Sequence, residues 1–229
     1  MNAHALASAD TLDAVIAALP AGLPPAEKAL LERFTRGFYA RLPEDELAAR
    51  PAGDWARVAQ AFLGFCRQRS AGAPKLRAFN PSLAADGFDS THTVVCIVND
   101  DMPFLVDSVR MALAQFGASL HQIAHPVFNL ARDAAGQLQD VGQGLPESMM
   151  YLEIDRQADA DTLQAIEKSL LAALSDVREA VADWQPMRDT MVRIADELGG
   201  RTLPAGAGDR AFCAGGDFDW FEEQIAHPS

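Results

Sequence analysis

Residues 91–117 read THTVVCIVNDDMPFLVDSVRMALAQFG, and this stretch decides the fold. Thr93 to Val98 is an unbroken β-branched and apolar run, the composition of a strand covered on both faces. Asn99, Asp100 and Asp101 follow with short capping side chains, and Pro103 brings the fixed φ favoured where helices begin. Leu105, Val109, Ala112, Leu113 and Phe116 then recur at helical spacing, and Gly117 suits the left-handed position that ends a helix. The stretch predicts strand, turn, helix and stop.

Working downstream, a second strand is expected over roughly 119–130, where Pro126 implies an edge position or a bulge. An edge invites pairing with another chain. Residues 133–144, with three glycines, read as an exposed hairpin connection, and 149–154 as a third strand. Asp159 or Asp161 opens a helix bearing Leu163, Ile166, Leu170 and Leu174. The order strand, helix, strand, strand, helix over 91–175 places the chain in the α+β class. It gives most of a split βαβ, or ferredoxin-like, unit: an antiparallel sheet with two helices on one face. The full unit needs a fourth strand, and 177–184 is the remaining candidate. Yet Val177, Val181, Trp184, Met187, Met191, Ile194 and Leu198 keep spacings of three or four. A long helix is expected there, kinked at Pro186, with a sheet of three strands, or four if a partner completes it.

Upstream, the first eighty residues read as helices broken by proline, with nothing that alternates as strands do. Asp10 is expected to cap a helix carrying Leu12, Val15, Ile16 and Leu19, and Asp54 one carrying Trp55, Val58, Ala59, Phe62 and Phe65. Between them lies the stripe Leu30, Phe34, Phe38 and Leu42. Glycine dominates 199–216, which reads as a linker before a further element at 217–225. The expected organisation is a helical segment over 1–85 and a ferredoxin-like domain with a long C-terminal helix over 86–198. Residues 199–229 are then a linker and the start of a downstream domain.

Nineteen Lys and Arg stand against 32 Asp and Glu in 229 residues, a formal charge of −13. That excess of acid excludes partners held through phosphates, so neither nucleic acid nor an anionic membrane surface is expected. Cys66, Cys96 and Cys213 are too few and too scattered for a disulfide framework, and suit apolar fillers in a reducing cytoplasm. The N-terminus lacks a basic segment and a sustained apolar run, and no stretch is apolar enough to span a bilayer. A cytoplasmic protein is expected.

No catalytic motif is present. Gly142, Gln143 and Gly144 lack the third glycine and preceding strand of a dinucleotide loop, and the P-loop, GxSxG and HExxH patterns are missing. His121 and His125, four apart on a strand, share a face on which two rings can meet a ligand, a metal or a neighbouring subunit. No third metal ligand stands nearby, so no metal site is assigned. Asp100 and Asp101 fit a cap and a solvated neighbour, but their position matters more. Amides exposed at that helix start suit the carboxylate of a small ligand, with Asp101 or a partner's strand meeting its ammonium group. Met111, Met149 and Met150 read as core filler. The candidate ligand or subunit contacts are Asp100, Asp101, Met102, Phe104, His121 and His125, with no catalytic, cofactor or metal residue.

Several stretches carry a resemblance. HTVVCIVNDDMPFLVDSVRM at 92–111, HQIAHPV at 121–127, ESMMYLEID at 147–155 and DVREAVADWQPM at 176–187 resemble the large bacterial NAD-specific glutamate dehydrogenases. AFNP at 78–81, followed by Gly87 and Ser90, is similar too. The resemblance covers most of 40–200. It implies the N-terminal region of a much longer enzyme that oxidises glutamate to 2-oxoglutarate and ammonia with NAD. That region carries ACT-like modules, split βαββαβ units that bind amino acids at subunit contacts and regulate the attached enzyme. NAD would then belong to the parent enzyme, since the catalytic lysine and dinucleotide loop have no counterpart here. The implied partners are the downstream dehydrogenase domains, other subunits and an amino-acid effector. Ligand-binding ACT modules place glycine after the proline of the first strand–helix turn, whereas this chain has Phe104. That departure implies an architectural unit. The other reading is a free-standing ACT-type amino-acid sensor or adaptor.

Overall fold

The computed structural model describes residues 6–199; Cys213 and the stretch expected as a linker and further element lie outside the described residues. Four helices come first: α1 (Ala9–Ala17), α2 (Pro25–Tyr39), α3 (Glu44–Ala48) and α4 (Ala52–Cys66). Then follow β1 (Lys75–Phe79), α5 (Leu83–Asp86), β2 (Thr93–Asp100), α6 (Leu105–Ala114), β3 (Leu120–Ala124) and β4 (Val127–Arg132). The described chain ends with β5 (Leu138–Val141), β6 (Leu145–Ile154) and α7 (Ala160–Gly199).

Strands β2 and β6 form the antiparallel spine, in register from Thr93 opposite Ile154 to Asp100 opposite Glu147. β1 lies outside β2, while β3 and β4 pair successive parts of β6 and β5 pairs β4. Alternation divides the spine between two cores. Val94, Cys96, Val98, Met149 and Tyr151 face the helices α1 to α4. Val95, Ile97, Met150, Leu152 and Ile154 face α6 and α7. The two helices of the split βαβ unit thus share one face, and the N-terminal helices cover the other. This double coverage is why 93–98 is continuously apolar.

The sheet has six strands, where three, or four with a partner's strand, were expected. β1 supplies the missing partner beside β2 from upstream, and 177–184 continue α7 as a helix. Contrary to the expectation of helices alone over the first eighty residues, β1 is a strand. Its local signal is weak because it is a short edge: Leu76 and Ala78 face the α6–α7 core, while the alternate positions include Lys75 and Arg77. β5 was hidden in the glycine-rich connection. The second expected strand divides into β3 and β4 at His125 and Pro126, because proline offers no N–H to the ladder. Register nonetheless continues from Ala124 opposite Tyr151 to Val127 opposite Ser148, and Met149 N–H donates to Pro126 O at 3.0 Å. The irregularity lies instead between Leu120 and Gln122, at His121. Gly144 is required in its turn: φ is 100° and a Cβ would stand 2.1 Å from Leu130 O.

Three local expectations are corrected. Ser8, not Asp10, caps α1, its Oγ accepting from Thr11 N–H at 3.2 Å. Asp54 lies within the first turn of α4, which begins behind Pro51 and leaves no capping position for it. Met111 is 71% exposed on the outer side of α6 and is no core filler, whereas Met149 and Met150 are fully buried. Pro186 lies inside the 40-residue α7.

Candidate functional site

The β2–α6 turn is built as a salt-bridged corner. Neither Asp100 nor Asp101 caps α6; the residue at that position is Phe104, which makes no side-chain cap. Asp100 instead receives Arg69 on one oxygen and Arg178 Nη1, at 2.8 Å, on the other. Arg178 also donates to Asn99 Oδ1 at 2.9 Å, tying α7 to the end of β2. Arg69, only 4% exposed, approaches Glu147 through Nε at 3.0 Å, an ion pair without hydrogen-bond alignment. Arg132 grips the same carboxylate through Nε at 2.6 Å and Nη2 at 3.0 Å. Five charged groups from five segments therefore lock the corner. Burial raises the Asp100 carboxyl, but its two arginines outweigh this and hold it below the ordinary value. Asp101 is different: burial pushes its carboxyl up, against the opposing Met102 amide.

Phe104 adopts φ 68°, ψ 3°, and is the one non-glycine residue with positive φ among those described. For a residue with a Cβ this costs about 1 kcal/mol. Packing offsets the strain. The side chain packs, with Met102, against the α6–α7 core, and Ser108 N–H donates to Phe104 O at 3.0 Å. The chain keeps the backbone geometry that glycine adopts freely while placing a ring at the turn.

The two expected histidines are not brought together. His121 sits at the strand irregularity, where its Nε2 lies 2.6 Å from Asp155 Oδ1 and its ring 4.4 Å from that of His92. His121 and then the Ser119 amide pull the Asp155 carboxyl down to about 2. His125 bonds Ser148 Oγ at 2.6 Å, and burial, then Arg41, lowers its pKa. Ser148 is the register partner of Asn99, so His125 lies toward the same end of the sheet as Asp100, and His121 lies toward the other end of β6.

Beside His92 is a node that sequence reading missed. Glu153, fully buried on β6, is held bidentately by Arg50 and accepts the Tyr151 hydroxyl. Arg50 stacks over Trp55 at 4.8 Å. No local signal marks such groups, since Arg50, Arg69, Arg132 and Arg178 come from separate segments. Among the described residues, no group of three or more His, Cys, Asp or Glu is placed to hold a metal ion. No described helix is long and apolar enough to cross a membrane.

Replacing Arg178 by methionine is expected to cost about 1 kcal/mol, because the pair is about a third exposed and Arg69 still holds Asp100. Asp100 is depressed in the folded state, so its contribution is complete above its unfolded value near pH 4 and fades as pH falls through the folded value. The variant should therefore lose less stability on acidification than the parent. Urea midpoints at pH 7 and pH 3.5 measure both effects, and equal acid losses would refute the assignment.

A family model described as the ACT1 domain of glutamate dehydrogenase matches residues 34–170, over half of the chain. The chain belongs to this family. The ACT1 match begins within α2 and ends within α7, so it takes in α3, α4 and β1 as well as the strands and helix from β2 onward. Two curated relatives, both named NAD-specific glutamate dehydrogenase, are similar over most of the chain. The Halomonas elongata protein is 37% identical over 175 residues, covering 73% of this chain and 11% of that protein. The Pseudomonas aeruginosa protein is 38% identical over 162 residues, covering 68% and 10% respectively. The chain thus spans about a tenth of the length of these relatives.

Proposed function

We propose that this chain is the N-terminal regulatory or assembly segment of an NAD-dependent glutamate dehydrogenase, without catalysis of its own. The parent reaction takes glutamate, NAD and water to 2-oxoglutarate, ammonia and NADH. NAD binds to downstream dehydrogenase domains of the same polypeptide, and other subunits are further partners. The observation that carries this reading is the ACT1 match together with the locked corner. Asp100 is engaged by Arg69 and Arg178, and the Phe104 ring packs against the α6–α7 core, which supports a structural rather than an effector-binding role for that turn.

The expected result is no glutamate-dependent NAD reduction by the isolated chain, followed at 340 nm. NADH formation would overturn the proposal. A thermal-shift panel of the common amino acids tests the turn itself. A ligand present at about 100 times its dissociation constant adds roughly 2.7 kcal/mol of stability. A flat panel is expected, and a shift abolished by Asp101→Asn would restore the effector-binding reading.

A further inference from the structure

On the opposite face of the sheet from α6 and α7, α4 does not close fully against β1, α5 and the loop before β2. The gap is a cavity of about 240 Å³. The pocket is half open to solvent, and its volume exceeds the roughly 150 Å³ in which an apolar void accommodates benzene. Five rings line it: Phe62 and Phe65 from α4, Phe79 from β1, Phe88, and Tyr151 from β6. They stand edge to face, Phe79 and Phe88 at 6.2 Å and 85°, Phe62 and Phe65 at 5.9 Å and 61°. Cys96 is part of the floor, its thiol pushed up by burial and therefore neutral.

The lining carries one ion pair, and it is asymmetric. The Asp86 side chain is only 8% exposed, and its oxygens are both used: Oδ1 by Arg77 Nη1 at 2.9 Å, Oδ2 by Ser82 N–H at 3.0 Å. Arg77 is half exposed and its guanidinium carbon lies over Phe79, 3.8 Å from the ring centroid. A guanidinium has five N–H donors in a planar fork, so the bond to Asp86 fixes the group and leaves donors for a second carboxylate. Buried carboxylate, oriented arginine and adjoining aromatic void together make a polar handle at an apolar cavity.

We propose that this cavity binds a small carboxylate with an apolar, ring-sized body, the body among the four phenylalanine rings and the carboxylate on Arg77. The site is separate from the β2–α6 turn and stands whether or not that turn takes an effector.

The test is titration of the full chain with 3-phenylpropionate by isothermal calorimetry. Its neutral amide and acetate serve as probes lacking the charge and the body. Saturable binding of the acid is expected, with the amide at least about tenfold weaker, the loss of one charged hydrogen-bonding pair, and acetate silent. Arg77→Lys keeps charge but not the fork and should bring the acid close to the amide. Ala61→Phe from α4 and Ala85→Trp from α5 fill the cavity from opposite walls and should each abolish binding, with unchanged far-ultraviolet circular dichroism as the control for folding. Three outcomes overturn the proposal: no saturable binding of the acid at millimolar concentration, equal affinity for acid and amide, or full binding in either folded filling variant.

Discussion

Replacing Glu153 by alanine is expected to remove about 3–5 kcal/mol of stability, the range for breaking one side of a buried ion pair. That is a large part of the roughly 5–15 kcal/mol that holds a domain folded. The side chain is fully buried within the sheet and makes three strong contacts, two with Arg50 and one with the Tyr151 hydroxyl. Alanine would leave that hydroxyl, also buried, without its acceptor, and Arg50 without a counter-charge. Glu153→Leu combined with Arg50→Met should recover only part of the loss, since removing both charges also removes both desolvation costs while the Tyr151 hydroxyl still lacks its acceptor. The pair also fixes a pH dependence. Burial raises the Glu153 carboxyl, but Arg50 and Tyr151 outweigh it, so the folded value lies below the ordinary one. A depressed folded value means the contribution is complete above the unfolded value, near pH 4.5, and is lost as pH falls through the folded value. Urea unfolding followed by circular dichroism at 222 nm reads both effects. A cost under about 1 kcal/mol, the level of an exposed pair, would show that Glu153 is not the buried partner described.

What was legible in the sequence was whatever burial writes locally. The run from Thr93 to Val98 declared a strand covered on two faces, and the spacing from Val177 onward declared a helix; both are observed. Pro126 marked the break between β3 and β4. The glycine position occupied by Phe104 was equally visible, though its left-handed backbone was not. The long-range contacts left no such trace. Asp100 reads as a cap or a ligand contact until Arg69 and Arg178, 31 and 78 residues away, are seen to claim both oxygens. His121 and His125 share a face on paper, and an irregularity at His121 sends its ring to Asp155 and His92. Lys75 and Arg77 disguised β1, because an edge strand needs only half its residues to be apolar. The cavity beside Arg77 had no sequence signal at all, as its walls come from α4, β1, α5, the loop before β2, β2 and β6.

The sharing of one core between the N-terminal helices and the sheet leads to the second large effect, at Phe34. This ring is fully buried and stacks on Phe38 at 5.2 Å within α2 and on Phe128 of β4 at 5.1 Å, with Phe62 of α4 at 6.4 Å. It therefore joins two helices and the sheet. The approach is close: a Cβ at Gly37, one turn along α2, would stand 2.5 Å from the Phe128 ring, so α2 has no room to slide into a void. Phe34→Ala should then cost about 3–5 kcal/mol, combining lost transfer energy with a cavity that cannot collapse. The manner of unfolding is as informative as the size. The sheet's inner residues Val94, Cys96, Val98, Met149 and Tyr151 have the helical layer as their cover, so losing the helices exposes that entire face. The variant should accordingly unfold in one transition, with helix loss at 222 nm and total tryptophan fluorescence coincident along the urea axis. If the helices melted first and a folded sheet remained, α1 to α4 would be a separate unit resting on the sheet, and the shared core would contribute little to cooperativity.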